Sequence, residues 1–354
     1  MPYPPRDQES LSASFPIEPF EPFDTAAIRP PRPRKFQSRL WLHVVLLLLT
    51  VLTSTAAGAC HYAAFTSEFE RRAVTIDWSL LLHGFWYSGT LLAILGAHEM
   101  GHYAFCRRYD VDATLPYFIP LPPILFLTGT LGAVIKIRDA FPTRKELFDI
   151  GVAGPIAGFV VLLPALFYGM HVSTLVAAPT SGSGYSLGEP LLFRIASLAT
   201  FGTLPPGIAI NMHPMVFAAW FGMLATYWNL LPFGQFDGGH LTYATLGRAS
   251  RWITVATACG AVLMTYFSMS WLLMTAVMLI MLRMMGPDHP PVLNHYEPLP
   301  RSRYALAIVA LIIFVLCFMP VPIEPTNFGA TPALPSQNSH RIDINGSSAP
   351  ELRS

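Results

Sequence analysis

The sequence predicts an all-α polytopic membrane protein of about seven transmembrane helices, with a re-entrant or β-hairpin segment between the second and third. Three observations carry this. Apolar side chains make up 53% of the 354 residues and charged ones only 12%, with a mean hydropathy of +0.45, which is more apolar surface than a soluble core can hide. The apolar residues fall in runs close to the ~20 residues that cross a bilayer as helix. Between the second and third runs the chain turns Pro-rich and β-branched, and helix cannot continue there. The 22 Lys and Arg against 21 Asp and Glu are scattered between apolar runs, so nothing favours a nucleic-acid partner. Cys60, Cys106, Cys259 and Cys317 stand too far apart for a CxxC metal site, and a disulfide framework is not expected.

In chain order, residues 1–39 are Pro-rich and end in a basic cluster from Arg29 to Arg39, with no apolar periodicity; a disordered, basic cytoplasmic arm is expected. The first span, 40–59, ends in Ala57-Gly58-Ala59, the small-residue spacing of a leader-cleavage site, but so long a leading region is unusual for a leader, and a retained helix is expected. The second span, 78–105, runs back and is followed at once by Arg107 and Arg108. Its end therefore lies on the same cytoplasmic side as the arm, as the positive-inside rule requires. Within 112–149, four prolines in 115–123 break any helix, and the Gly-punctuated, β-branched stretch 127–137 reads as a strand. Non-helical backbone at membrane depth needs protein or a water-filled cavity against it, and an unpaired strand edge there could take an extended substrate by β-addition.

A third span, 148–170, opens on Gly151, Gly154, Pro155 and Gly158, small residues that let another helix approach closely. The loop 171–207 should be external, with one amphipathic piece at 191–200, and a fourth span covers 208–231. Two short spans at 252–267 and 271–285, a basic polar segment 286–303, a last span 304–319 and a disordered tail from 321 complete the reading. The domains are thus the arm 1–39, a membrane domain 40–320 with its core at 78–248, and the tail 321–354.

The chemistry is concentrated in two places. His98-Glu99-Met100-Gly101-His102 puts two imidazoles four residues apart on one helix face, with a carboxylate beside them. Ionisable groups in an apolar run cost roughly 2.5 to 3.5 kcal/mol each, so they mark a site. The second cluster, Asn229-Leu-Leu-Pro232 followed by Asp237-Gly238-Gly239-His240, breaks a helix at Pro232 and presents Asp237 on a Gly-flanked turn. A catalytic zinc commonly takes two His and a carboxylate with one open position, and the span order brings Asp237 to the side that holds His98 and His102. His240 reads as structural, Tyr103 and Tyr117 as packing or interfacial anchors, and His83, His213, His289 and His295 stand singly without ligand spacing.

Jointly, the HExxH at 98–102, the Gly-rich helix start at 151–158 and the NxxPxxxxDG pattern at 229–238 resemble the site-2 protease family of intramembrane zinc metalloproteases, peptidase family M50, in its forms without a PDZ domain. The likeness covers about 78–248. It implies one Zn2+ per chain on His98, His102 and Asp237, with Glu99 as general base and Asn229 positioning the substrate or its oxyanion. It further implies regulated intramembrane proteolysis, with transmembrane proteins as substrates and membrane lipid as surroundings. Family members often carry Asn or Ser after the Gly-Pro of the middle motif; Gly158 stands there in this chain, which weakens a catalytic role for that segment. The site is expected toward the cytoplasmic side of a bacterial inner (plasma) membrane. The rival reading is a metal-binding transporter or chaperone-like protein on the same scaffold, for which Glu99 would have no use.

Overall fold

Helices form where apolar runs lack breakers. In the computed structural model, which describes residues 35–68, 73–74, 77–124, 127–178, 182–294 and 296–328, the first run becomes α1 (Leu40–Ser67). It outruns the expected 40–59 because no Gly or Pro follows until it ends. Asp77 accepts from the Leu80 N–H at 3.1 Å and starts α2 (Trp78–His83), which continues past Gly84 into α3 (Phe85–Arg108). Most of the arm expected over 1–39, the end of the tail, and His295 lie outside the described residues. The chain from Phe36 onward is one unit.

The Pro-rich stretch folds as the expected hairpin. Strand β1 (Tyr117–Pro120) pairs antiparallel with β2 (Thr130–Val134), Tyr117 opposite Val134, and the register shifts at Pro120, which has no N–H to donate. Helix α1 satisfies its irregular backbone at three heights. His43 Nδ1 meets Pro116 O at 3.0 Å, Thr53 Oγ1 donates to Gly129 O at 2.7 Å, and His61 Nε2 meets Leu127 O at 3.0 Å. Tyr87 of α3 adds a bond from its hydroxyl to Thr128 O. Tyr117 stacks on His43, and Tyr103 packs edge-on against Phe36, so both tyrosines pack as expected.

Next comes α4 (Arg144–His171), opened by Thr143, whose hydroxyl accepts from the Glu146 N–H. The region 171–207 holds more than the one amphipathic piece expected. Strands β3 (Thr174–Ala177) and β4 (Gly182–Leu187) precede α5 (Leu191–Phe201). The span expected at 208–231 opens as strand β5 (Ile208–Asn211) before α6 (Pro214–Leu230) begins under a His213 cap. After α7 (Asp237–Leu246), α8 (Ser250–Phe267), α9 (Leu272–Met285) and α10 (Arg301–Cys317), the chain closes with β6 (Ile323–Phe328). β3 pairs with β5 and β4 with β6, both antiparallel. An all-α reading is therefore corrected to a mostly helical fold with three two-stranded sheets among the described residues, and the tail expected to be disordered from 321 begins as a paired strand.

Among the described residues, three helical runs are long and apolar enough to cross a membrane: Leu40–Ser67, Trp78–Arg108 and Arg144–His171. Helix α4 is central, packed by α3, α6, α7 and α10, and the core between them is lined by Tyr87, Leu162, Leu166, Trp220 and Tyr227. Trp220 keeps its indole N–H satisfied by donating to Gly188 O at 2.7 Å.

One ion pair ties the last long helix to this core. Asp149 of α4, 3% exposed, takes two bonds from Arg303 of α10, at 3.0 and 2.8 Å, and one from the Tyr109 hydroxyl at 2.6 Å. Arg303→Met strands that carboxylate and is expected to cost about 3 kcal/mol, read as a lowered Tm in detergent. Joint replacement, Asp149→Leu with Arg303→Met, should recover most of the loss, since no buried charge remains. An unchanged Tm in the single variant would show that the pair does not hold α10.

Candidate metal centre

The HExxH residues lie a little past the middle of α3, and all three ionisable ones are buried. Residues i and i+4 share a face, and here the two Nε2 atoms stand 3.2 Å apart. Asp237 is the first residue of α7; the sequence placed it on a turn, and the turn instead occupies 231–236, with helix resuming at Asp237 itself. Its Oδ2 lies 3.1 Å from His98 Nε2 and 3.3 Å from His102 Nε2. Gly238 and Gly239 allow this. A Cβ at either would run into the carbonyls of Leu230 and Leu231, or of Phe233 and Gly234, so only glycine lets the start of α7 fold back against the end of α6.

These three residues form the metal-competent group found among the described residues. Ligand atoms at ~2.0 to 2.1 Å around a tetrahedral zinc stand about 3.3 Å from one another, and the three observed separations match that edge. The protons agree. His102 Nδ1 lies 2.8 Å from the carbonyl of Ile150, which can only accept, so Nδ1 carries the hydrogen and the Nε2 lone pair points at the other two ligand atoms. Two imidazole nitrogens and a carboxylate oxygen converging on one point in an apolar bundle suit a cation.

Two further groups meet the cluster. Asn229, on the last turn of α6, places Nδ2 3.4 Å from His98 Nε2. Glu99, beside the ligands on α3, lies against the backbone N–H of Ile135 just past the end of β2, so the hairpin reaches this carboxylate. The structure thus brings together His98, Glu99, His102, Asn229 and Asp237.

What sequence reasoning missed lies around them. The glycines of α4 do more than let a helix approach. A Cβ on Gly154 would overlap the imidazole of His102, and one on Gly158 would press on His98 at 3.1 Å from its Cβ. The Gly151-x-x-Gly154 spacing was visible, but the same spacing serves helix packing, so it did not single out the rings. His240 does not stand alone either: its Nδ1 lies 2.7 Å from Nε2 of His289, which stacks on Tyr243. Burial, with His289 beside it, holds His240 down at about 3, so it is neutral at pH 7. His289 itself, set aside from sequence, ties the segment after α9 to the helix that carries Asp237. Their side chains line a cavity of about 410 Å3 together with Ile135, Lys136, Asp139 and Gln235. A cavity of about 840 Å3 lies at the far end of the bundle, away from every ligand atom, so size does not locate the chemistry.

Comparison with known proteins agrees with this geometry. The model of peptidase family M50 matches residues 86–273, which takes in every residue of the cluster. The chain belongs to peptidase family M50. It is similar to "Probable zinc metalloprotease EGY1, chloroplastic" of Oryza sativa subsp. japonica, at 29% identity over 80% of this chain and 51% of that protein. It is also similar to the Arabidopsis thaliana proteins named probable zinc metalloprotease EGY2 and EGY1, at 29% and 30% identity over 66% and 65% of this chain and 41% and 42% of theirs. The M50 chain spans about half the length of the curated relatives it matches. No solved structure matches it.

Proposed function

We propose that this M50 chain is an intramembrane zinc metalloprotease that hydrolyses peptide bonds in or near transmembrane segments of membrane proteins. His98, His102 and Asp237 hold the zinc, Glu99 is the general base and Asn229 binds the oxyanion. The observation that carries this is the triangle of ligand atoms, 3.1 to 3.3 Å on a side, with Glu99 next to it in an apolar bundle. When bound, zinc supplies a Lewis acid that makes water nucleophilic near neutral pH and draws charge from a carbonyl oxygen. Glu99 takes the proton of the attacking water and passes it to the amide nitrogen as the C–N bond breaks. Asn229 donates its N–H to the oxygen on which negative charge develops. The cavity beside His240, lined by Ile135 next to Glu99, supports a route for water from that side.

A helix hides its peptide bonds, so the substrate must unwind. The hairpin supports strand addition as the means. Among the described residues β2 pairs only with β1, leaving its other edge open, and nothing approaches Gly132 within 4 Å of where a Cβ would sit. The bonds from His43 to His61 cover 18 residues of α1, about 27 Å, which supports a re-entrant hairpin running along most of the bilayer's depth.

Seven spans follow if α6, α8, α9 and α10 cross as well. The α8–α9 turn supports this, because Trp271 donates its indole N–H to Pro320 O, next to the strand that pairs with β4 beyond the far end of α4. Arg107, Arg108, Lys136, Arg138, Arg144 and Lys145 gather at the opposite end, and by the positive-inside rule that end, with the polar cavity, faces the cytoplasm across a plasma membrane.

The test is cleavage of a reporter transmembrane helix in vesicles, with zinc measured on the same samples. Wild type should hold about one zinc per chain, and His98→Ala and Asp237→Ala should each lose most of it together with cleavage. Full zinc in both variants, or cleavage by chelator-stripped protein, overturns the assignment.

A further inference from the structure

Beside the helix that carries His98 and His102 runs a groove that the proposed catalysis does not use. It lies between α3, α4 and α10 and holds about 510 Å3. Its walls are small and apolar, with Ala104, Ala153, Ala157 and Leu306 among them, and one end is closed by Arg108, Tyr109, Asp149 and Arg303. From Asp149 to Ala157 is eight residues of α4, so the groove runs about 12 Å toward the bundle's middle.

The charges at its head do not cancel. Arg303 is neutralised by Asp149. Arg108 is exposed and, among the described residues, no carboxylate forms a salt bridge with it, while Lys145, whose ammonium sits over the Tyr109 ring at 5.7 Å from its centre, acts on Asp149 through space. An arginine without a carboxylate partner therefore lines the head of an apolar slot, with Lys145 behind the Tyr109 ring that closes it. A helix would need more room: 12 Å of a cylinder ~10 Å across is about 900 Å3, nearly twice the space available. An extended alkyl chain does not. A basic head above an apolar groove between membrane helices is the form that holds an anionic lipid.

We infer that this groove is a binding site for one anionic phospholipid, its acyl chain along Ala104, Ala153 and Ala157 and its phosphate between Arg108 and Lys145. The site lies on the side of α3 about a quarter-turn from the face that carries His98 and His102, where Gly101 meets the Ala153 carbonyl, so occupancy braces the α3–α4 contact. This assignment is independent of the protease reading.

The experiment uses the full chain in detergent, delipidated and then titrated with dioleoyl phosphatidylglycerol or dioleoyl phosphatidylcholine, with native mass spectrometry counting retained lipid and Tm read in parallel. One phosphatidylglycerol should be retained, with a raised Tm, and phosphatidylcholine should be held roughly tenfold more weakly. Arg108→Glu should lower phosphatidylglycerol retention roughly tenfold by reversing a charge at the mouth. Ala104→Phe should do the same by filling the slot. Arg107→Glu is the control, because Arg107 lies over the Phe36 ring at 4.5 Å and does not line the groove; its retention should match wild type. Equal retention of both lipids, equal loss in the Arg107 and Arg108 variants, or full stabilisation by inorganic phosphate alone would each overturn the site. The first outcome would indicate apolar adsorption without headgroup selection, the second diffuse surface attraction, and the last an anion site without a chain.

Discussion

Glu99→Gln protein should bind zinc at the wild-type level, melt at the wild-type temperature and cleave the reporter at about one thousandth of the wild-type rate or less. Glutamine has nearly the same shape, so the contact with the Ile135 amide and the packing of α3 survive. What it lacks is a basic oxygen able to take the proton of the attacking water. The ligand triangle does not involve Glu99, so metal content separates this loss from loss of the centre. A metal-binding transporter or chaperone on this scaffold would be indifferent to the change. Undiminished cleavage by the variant, with zinc verified in the same sample, would remove Glu99 from the mechanism. Reduced zinc in the variant would instead show that Glu99 supports the ligands.

The metal cluster was legible because its logic is local. A spacing of four on a helix fixes which face two histidines share, and the expected order of spans puts the end of α6 on their side. The Ile150 carbonyl that orients His102 was not legible, since any helix start offers carbonyls and only packing chooses among them. The outer sheets escaped for another reason. Strands β3, β4 and β5 are four to six residues long with no sustained alternation, and β4 finds its partner about 140 residues later, at β6. The His240–His289 contact likewise joins residues 49 apart across two intervening helices, and neither has a ligand-like spacing to announce it.

The hairpin stands between these cases. Its prolines and β-branched run exclude helix from sequence alone, yet what makes it tolerable inside a bundle is a set of polar side chains on α1. His43, Thr53 and His61 look like stray polar residues in an apolar helix. They become interpretable once the hairpin's carbonyls lie opposite them.

Gly154→Ala should produce a protein that folds well and binds zinc badly. All three heavy atoms nearest to a Cβ at this position belong to the imidazole of His102, so the added methyl displaces the ring and little else. His102 cannot swing freely, because its Nδ1–H is bonded to Ile150 O on α4, one turn before Gly154, so its Nε2 must leave the ligand triangle or that bond must break. Zinc affinity should fall by roughly a hundredfold, at the upper end for losing the group that orients a metal ligand, and cleavage should fall with it. The helix itself gains, since alanine in a helix interior is more favourable than glycine by about 0.5 to 1 kcal/mol. Metal-free variant should therefore melt at or above the temperature of metal-free wild type, while the increment that zinc adds to Tm shrinks. Gly158→Ala grades the effect, because a Cβ there meets His98 at 3.1 Å from its Cβ and 3.4 Å from Nδ1, close enough to press but not to evict; a severalfold loss of affinity is expected. Equal, small effects at both positions would mean that these glycines serve helix packing alone, whereas a steep loss at 154 and a shallow one at 158 would tie the stripe to the two rings.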